Sequence, residues 1–212
     1  MKLVYFDAYG RAEAIRMLLN SAKVEFEDVR FGFADWPTVK ASGDPQLEFG
    51  QVPALVLDDG KVLTQTKAIM RYLGMQHGYV PADAYQNYLV DSFLDALGDM
   101  TQGMVAARWE QNEEKKKEIF TNWITTTYPK FLAAFEKRLE AQGHNKFIAG
   151  DSLTIADFTW TAMLFSTVYN EQFEHAGVFK GIFEQHPLLK GYAENMKAHF
   201  NDYLESRPKR AM

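Results

Sequence analysis

Apolar residues along the first 75 positions follow two alternating periods. "KLVYF", residues 2–6, is a compact β-rich run, and Ile15, Leu18, Leu19 and Ala22 then fall at i, i+3, i+4 and i+7, one face of a helix. Across residues 24–31, Val24, Phe26 and Val29 alternate with charged positions, as a half-buried strand does. A loop rich in Trp, Pro, Gly and Asp follows. "VPALVLDDGKVLT" then carries two short apolar runs around Asp58-Asp59-Gly60, a strong hairpin signal. Helical spacing resumes from Thr66 with Ile69, Tyr72 and Leu73. The order β-α-β, then β-β-α, predicts a small sheet with helices packed on it.

The pattern breaks at Gly74, Gly78 and Pro81, and strand signals stop, which places a linker there and divides the chain into residues 1–75 and 84–212. The second part reads as all-α. Leu89, Phe93, Leu97, Met100 and Met104 make one long stripe, a second helix is predicted near 116–141 and a third from 154. Thr154 and Asp157 have the spacing of a capping box, with Leu153 and Phe158 placed as a hydrophobic staple. Asp91, Asp95 and Asp99 stack on one face of the first helix, which should cost helix stability unless something compensates. The mixed-charge run 111–118 and the basic tail "SRPKR" read as solvated surface.

Composition narrows the function. A chain of 212 residues, 47% apolar and 14% aromatic, can bury a sizeable core. The net charge of −5, with Lys and Arg scattered, offers no basic face for nucleic acid. There is no cysteine, so any thiol chemistry must use a ligand's thiol. The N-terminus opens on a strand-like run without a basic segment and long apolar stretch, and no later run approaches membrane-spanning length. A soluble, cytoplasmic protein without membrane partners is expected. His77, His144, His175, His186 and His199 show no ligand spacing with acidic partners, so no metal site is assigned.

The candidate chemistry starts at Tyr5, where the first strand runs out just before a Gly-Arg step into a helix, since such a loop can present a reactive side chain. "YFDAYGRAEAIR", "ADWPTVK", "FGQVPAL", "LTQTKAIMRYL" and "GDSLTIADF", spread over nearly the whole chain, resemble the signatures of the cytosolic glutathione transferases. Tyr-Phe before Gly-Arg-Ala-Glu, together with Asp-Trp-Pro, is most similar to the sigma class, which includes glutathione-dependent prostaglandin D synthases and lens S-crystallins. The resemblance implies a thioredoxin-like α/β domain followed by an all-helical domain. It also implies glutathione as co-substrate, a hydrophobic electrophile as second substrate, and a homodimer.

By that resemblance Tyr5 is the catalytic tyrosine whose hydroxyl stabilises the glutathione thiolate, and Arg11 the cation that supports it; read without it, Arg11 is a surface residue near a helix start. Val52-Pro53 matches the family's cis-proline, the alternative being a trans proline that starts a strand. Gln65 and Thr66 would hold the γ-glutamyl carboxylate at a helix start, a position where Thr66 also suits simple capping. Trp36, Lys40 and Gln51 match positions that grip the glycyl end, with Gln51 standing where many relatives carry lysine. Asp99 matches an acid that reaches the γ-glutamyl ammonium of the other subunit; the plain alternative for the three aspartates is a solvated face. Some prostaglandin synthases hold a divalent cation on this helix, but one position of that set is Gly98 here. Phe6, Tyr9, Met104 and Thr159 are candidates for the electrophile pocket, or else interface core. Phe49 matches an aromatic key inserted into the partner subunit, and Ala106 stands where the isomerases carry tryptophan. Three readings follow: a transferase, a prostaglandin D isomerase, and a non-catalytic structural protein on the same fold.

Overall fold

The computed structural model describes residues 1–43, 45–143 and 146–211; His144 lies outside them. The N-terminal part contains β1 (Lys2–Phe6), α1 (Glu13–Ser21), β2 (Glu27–Phe31), α2 (Trp36–Ser42), β3 (Ala54–Val56), β4 (Val62–Thr64) and α3 (Thr66–His77). The strands order as β2-β1-β3-β4 in one sheet. β1 runs parallel to β2 and antiparallel to β3, with Tyr5 opposite Arg30 and Val4 opposite both Val29 and Ala54. β3 and β4 form the hairpin expected around Asp58-Asp59-Gly60. Strand β2 starts at Glu27, three residues later than the alternation suggests.

The loop expected before Val52 contains a helix instead. α2 carries Pro37 in its first turn and is capped by Gly43, which adopts φ 70. None of its residues is buried, so no apolar stripe marks it in the sequence.

The C-terminal part is helical: α4 (Ala84–Trp109), α5 (Glu113–Asn122), α6 (Tyr128–Gln142), α7 (Ile155–Leu164), α8 (Ala176–Phe183), α9 (Pro187–His199) and α10 (Asn201–Ser206). Phe93, Leu97 and Met100 of the α4 stripe are buried, with Leu89 and Met104 half-buried. The single helix expected at 116–141 is α5 and α6 joined through a π-helical turn, Trp123–Thr127. Trp123 explains the turn's place. Its indole N–H donates to the Met100 carbonyl at 2.5 Å, and its ring occupies the space beside Gly103, where any Cβ would collide with it.

At the start of α7 the Asp157 carboxylate accepts from the Thr154 backbone N–H at 2.9 Å, the carboxylate half of the expected box. It also accepts from the Thr154 hydroxyl, the Ile148 N–H and the Tyr192 hydroxyl. Burial nevertheless pushes this carboxyl up to about 6. α7 packs against α1, α3 and α4, tying the sheet layer to the helical part.

Candidate active site

β1 ends by delivering Tyr5, buried against the α1 side of the sheet. Its hydroxyl oxygen accepts a hydrogen bond from the Arg11 backbone N–H at 3.0 Å. Gly10, with φ +43, makes this approach feasible: a Cβ there would lie 2.6 Å from the Tyr5 Oη. With the oxygen engaged by an amide, the phenolic proton is left to be donated outward. The Arg11 side chain is exposed and has no hydrogen bond or ion pair among the described residues. The buried cation beside Tyr5 is Arg16, whose guanidinium carbon lies 5.9 Å from the Tyr5 ring centroid.

Arg16 lies one position off the Ile15–Leu18–Leu19 stripe, so no periodicity singles it out. It is buried with Glu13 at 3.3 Å and pairs with Asp28 at 3.1 Å, while its Nη1 donates to the Ala8 carbonyl at 2.8 Å. Asp28 is also held by Arg30 at 2.7 Å.

A second set of expected residues comes together along the edge of the sheet. Lys40 Nζ lies 6.0 Å from the Trp36 ring centroid, and its stem covers Gly50, where a Cβ would meet Lys40 Cε at 3.3 Å. Gln51 is next in the chain, and its side-chain oxygen accepts from Gln65 Nε2 at 3.3 Å. The Val52-Pro53 bond is cis. Gln65 adopts φ 69 and ψ 108, a conformation that costs a non-glycine residue about 1–3 kcal/mol and that concentrates at ligand sites. Thr66 is the first residue of α3 rather than its cap, and Gln65 precedes it as the cap residue. Lys40, Gln51, Gln65 and the free N–H groups opening α3 thus surround one polar edge beside the Val52 backbone.

Around Phe6 the structure places an aromatic shelf. Phe6 meets Tyr5 edge-on at 5.3 Å between centroids, stacks on Phe33 at 4.6 Å and touches Phe31 and Trp36. Phe33 is 53% exposed, so the outer face of the shelf is open. The hydropathy pattern does not single it out, because it lies in a single 3-10 turn, Phe33–Asp35, before α2.

The remaining pocket candidates make other contacts. Tyr9 is buried under the C-terminal segment: its hydroxyl donates to the Pro208 carbonyl at 3.0 Å and accepts from the Arg210 N–H at 3.1 Å. Thr159 spends its hydroxyl on the Ile155 carbonyl of its own helix at 2.7 Å. Met104 is half-buried on α4 and packs on the core. No hydrogen bond or ring contact joins Thr159 or Met104 to Tyr5 among the described residues.

The acidic face of α4 finds its compensation in α3. Lys67 reaches Asp95 at 2.7 Å and Arg71 reaches Asp91 at 2.8 Å. The Lys67 hydrogen bond is the main influence holding the Asp95 carboxyl below its ordinary value. Lys67 also occupies the space above Gly98, 3.2 Å from where a Cβ would stand. Asp99 is exposed, with Gln102 Nε2 at 3.3 Å. Among the described residues no group of three or more His, Asp or Glu side chains could hold a metal ion.

A four-stranded mixed sheet with a tyrosine near the end of its inner strand β1 and a cis-proline before β3, continued by a helical domain, defines the glutathione transferase fold. Comparison with known proteins agrees. Residues 1–75 match the model of the glutathione S-transferase N-terminal domain and residues 98–207 that of the C-terminal domain. Glutathione S-transferase 1 of Ascaris suum is 32% identical over 98% of this chain and 97% of its own. The hematopoietic prostaglandin D synthase of Gallus gallus is 36% identical over 75% of each chain. Among solved structures, monomeric Na-GST-3 of the hookworm Necator americanus superposes with a TM-score of 0.81 at 29% identity, covering 100% of this chain and 98% of that one. The chain belongs to the glutathione S-transferase family and is an enzyme of that kind. Its helices include none long and apolar enough to cross a membrane among the described residues.

Proposed function

We propose that this transferase joins the sulfur of glutathione to small hydrophobic electrophiles, with Tyr5 stabilising the thiolate. The observation that carries this reading is the Arg11 N–H to Tyr5 Oη hydrogen bond, which uses a lone pair of the phenolic oxygen and leaves its O–H available as a donor. A thiol of pKa near ~8.5 is only a few per cent ionised at neutral pH. Lowering that value by about two units takes roughly 2.7 kcal/mol of preferential interaction and raises the reactive fraction about 30-fold. In the reaction the sulfur lone pair forms the new C–S bond as the leaving group departs with its electrons, or as an activated double bond accepts them. The thiol proton goes to solvent when the thiolate forms.

The polar edge formed by Trp36, Lys40, Gln51, Val52, Pro53, Gln65 and Thr66 supports binding of the tripeptide. Lys40 and the α3 N-terminus suit its carboxylates, and the Val52 backbone beside the cis-proline suits its cysteinyl amide. Arg11, exposed and without a side-chain partner among the described residues, would be the cation to approach the bound ligand. Electrophiles would sit on the Phe6–Phe33 shelf, with Met104 and Thr159 on the helical side. Residues 1–75 and 84–212 serve as the two domains. We assign the protein to the sigma class and to the cytoplasm. We also assign a homodimer in which Phe49, 57% exposed, seats in the partner and Asp99 faces the partner's glutathione.

The test is the pH dependence of glutathione conjugation to a chromogenic halonitroarene. The parent should show an ionisation well below that of free glutathione, and Tyr5→Phe should lose both that shift and most of the rate. An unchanged profile in Tyr5→Phe would remove Tyr5 from the chemistry.

The likeness to a prostaglandin D synthase supports a second reading, isomerisation of prostaglandin H. Gly98 and Ala106 stand against it. Failure to turn over prostaglandin H would end it.

A further inference from the structure

The segment that follows α10 returns to the loop that carries the active-site tyrosine's partner. Arg207 Nη1 donates to Glu13 Oε1 at 2.7 Å, a pair only 9% and 1% exposed, and Nη2 donates to the Phe165 carbonyl. The same guanidinium lies 4.0 Å from the centroid of the Tyr9 ring. Beyond it, Tyr9 grips the Pro208 carbonyl and the Arg210 N–H, Arg210 reaches Asp7 at 3.0 Å, and Asn170 donates to the Arg210 and Ala211 carbonyls. Glu13 also accepts from the Tyr203 hydroxyl at 2.9 Å. From the other side, Arg16 holds the Ala8 and Tyr9 carbonyls.

The Asp7–Gly10 loop is therefore clamped between Arg16 and the C-terminal segment, and it leads directly into the Gly10–Arg11 peptide whose N–H meets Tyr5 Oη. Gly10 has little backbone restraint of its own, so the aim of that N–H depends on what fixes the residues before it. A displacement near 1 Å at a reacting group can cost about 100-fold in rate.

We propose that Arg207 and Tyr9 are positioning residues for catalysis: the C-terminal segment, locked on Glu13 and Tyr9, keeps the Gly10–Arg11 amide aimed at the Tyr5 hydroxyl. This rests on the reading that Tyr5 stabilises the thiolate. Each residue acts through the loop.

The experiment uses the full chain in Tyr9→Phe, Arg207→Gln, Arg207→Lys, Tyr5→Phe and the Tyr5→Phe/Tyr9→Phe double variant. Tyr9→Phe deletes both tail hydrogen bonds and keeps the ring against Arg207. For each folded variant, the ionisation of bound glutathione is read from thiolate ultraviolet absorbance, alongside kcat and KM. Tyr9→Phe and Arg207→Gln should raise the apparent thiol pKa by about half a unit or more and lower kcat near neutral pH about 3- to 10-fold. Arg207→Lys, which keeps the charge against Glu13, should recover part of the shift. The effect of Tyr9→Phe should vanish in the Tyr5→Phe background. If the tail variants keep the parent's thiol ionisation while Tyr5→Phe shifts it, the segment is only structural and the proposal fails. If Tyr5→Phe itself shifts nothing, the underlying reading fails instead. Should Arg207→Gln not fold, Tyr9→Phe alone decides.

Discussion

Gly10 and Tyr5 are in such close register that the glycine's missing side chain would stand 2.6 Å from the phenolic oxygen. Two demands meet at this one position, a positive φ of 43 and an empty space, and only glycine satisfies both. Gly10→Ala should therefore act on the chemistry as well as on folding. We expect a stability loss of about 1–2 kcal/mol from the left-handed conformation, and a rate loss of about 10- to 100-fold from displacing Tyr5. Urea unfolding and kcat/KM measured together test this. A variant that loses stability but keeps its rate would show that Tyr5 tolerates displacement.

The cross-helix pairs Lys67–Asp95 and Arg71–Asp91 give a second prediction. Lys67→Met leaves the Asp95 charge beside Asp91 and Asp99, but these groups are largely exposed, so the loss should stay below about 1 kcal/mol and shrink as salt is added. Because Lys67 holds the Asp95 carboxyl below its ordinary value, the pair's contribution exists above that ordinary value and fades as pH falls through the folded one. Both carboxylates already have cations, so adding Mg2+ or EDTA should leave the parent's thermal transition where it was. A rise in Tm with Mg2+ would reveal a cation site on this face.

Asp157 behaves with the opposite sign. Its folded pKa, raised to about 6 by burial, exceeds the unfolded value, so the folded state keeps a proton that the unfolded state releases. Its contribution is fully present below about pH 4 and disappears as pH rises to about 6, a change on the order of 3 kcal/mol. Chemical denaturation of the parent across this window should show that downward slope, and Asp157→Asn should lack it, at a lower overall stability because the amide NH2 must face either the Thr154 or the Ile148 N–H, which donate to different carboxylate oxygens. A parent stability that rises over the same window would mean that the four donors outweigh burial.

Phe33 gives a prediction about selectivity. Face-to-face stacking on Phe6 at 4.6 Å leaves its outer surface open, with Phe6 standing between it and Tyr5. Phe33→Ala should lower kcat/KM for a planar aromatic electrophile about 3- to 10-fold relative to an aliphatic one, the worth of one aromatic contact. Equal losses for both substrates would assign Phe33 to packing alone.

The readable parts of this protein are those whose signal is local. The Asp58-Asp59-Gly60 hairpin and the Thr154–Asp157 start of α7 lie within a few residues, and both form where expected. α2 escaped because it buries no residue, leaving no period to detect. The π-helical turn escaped because its cause, Trp123 fitted against Gly103, joins two helices. At the site, the residues around Gln51 and Gln65 could be named from motif resemblance. The surroundings of Tyr9 could not, since what covers it comes from the far end of the chain. Lys67 and Arg71 look like ordinary surface cations until α3 is laid against α4.

That far-end contact has a consequence for biogenesis. Tyr9 is synthesised 201 residues before the Arg210 amide that its hydroxyl accepts. The sheet and its helices can assemble while the chain is still emerging, but the loop beside Tyr5 stays unclamped until the segment after α10 has left the ribosome. Nascent chains should therefore acquire their fold before they acquire a fully ordered active-site loop.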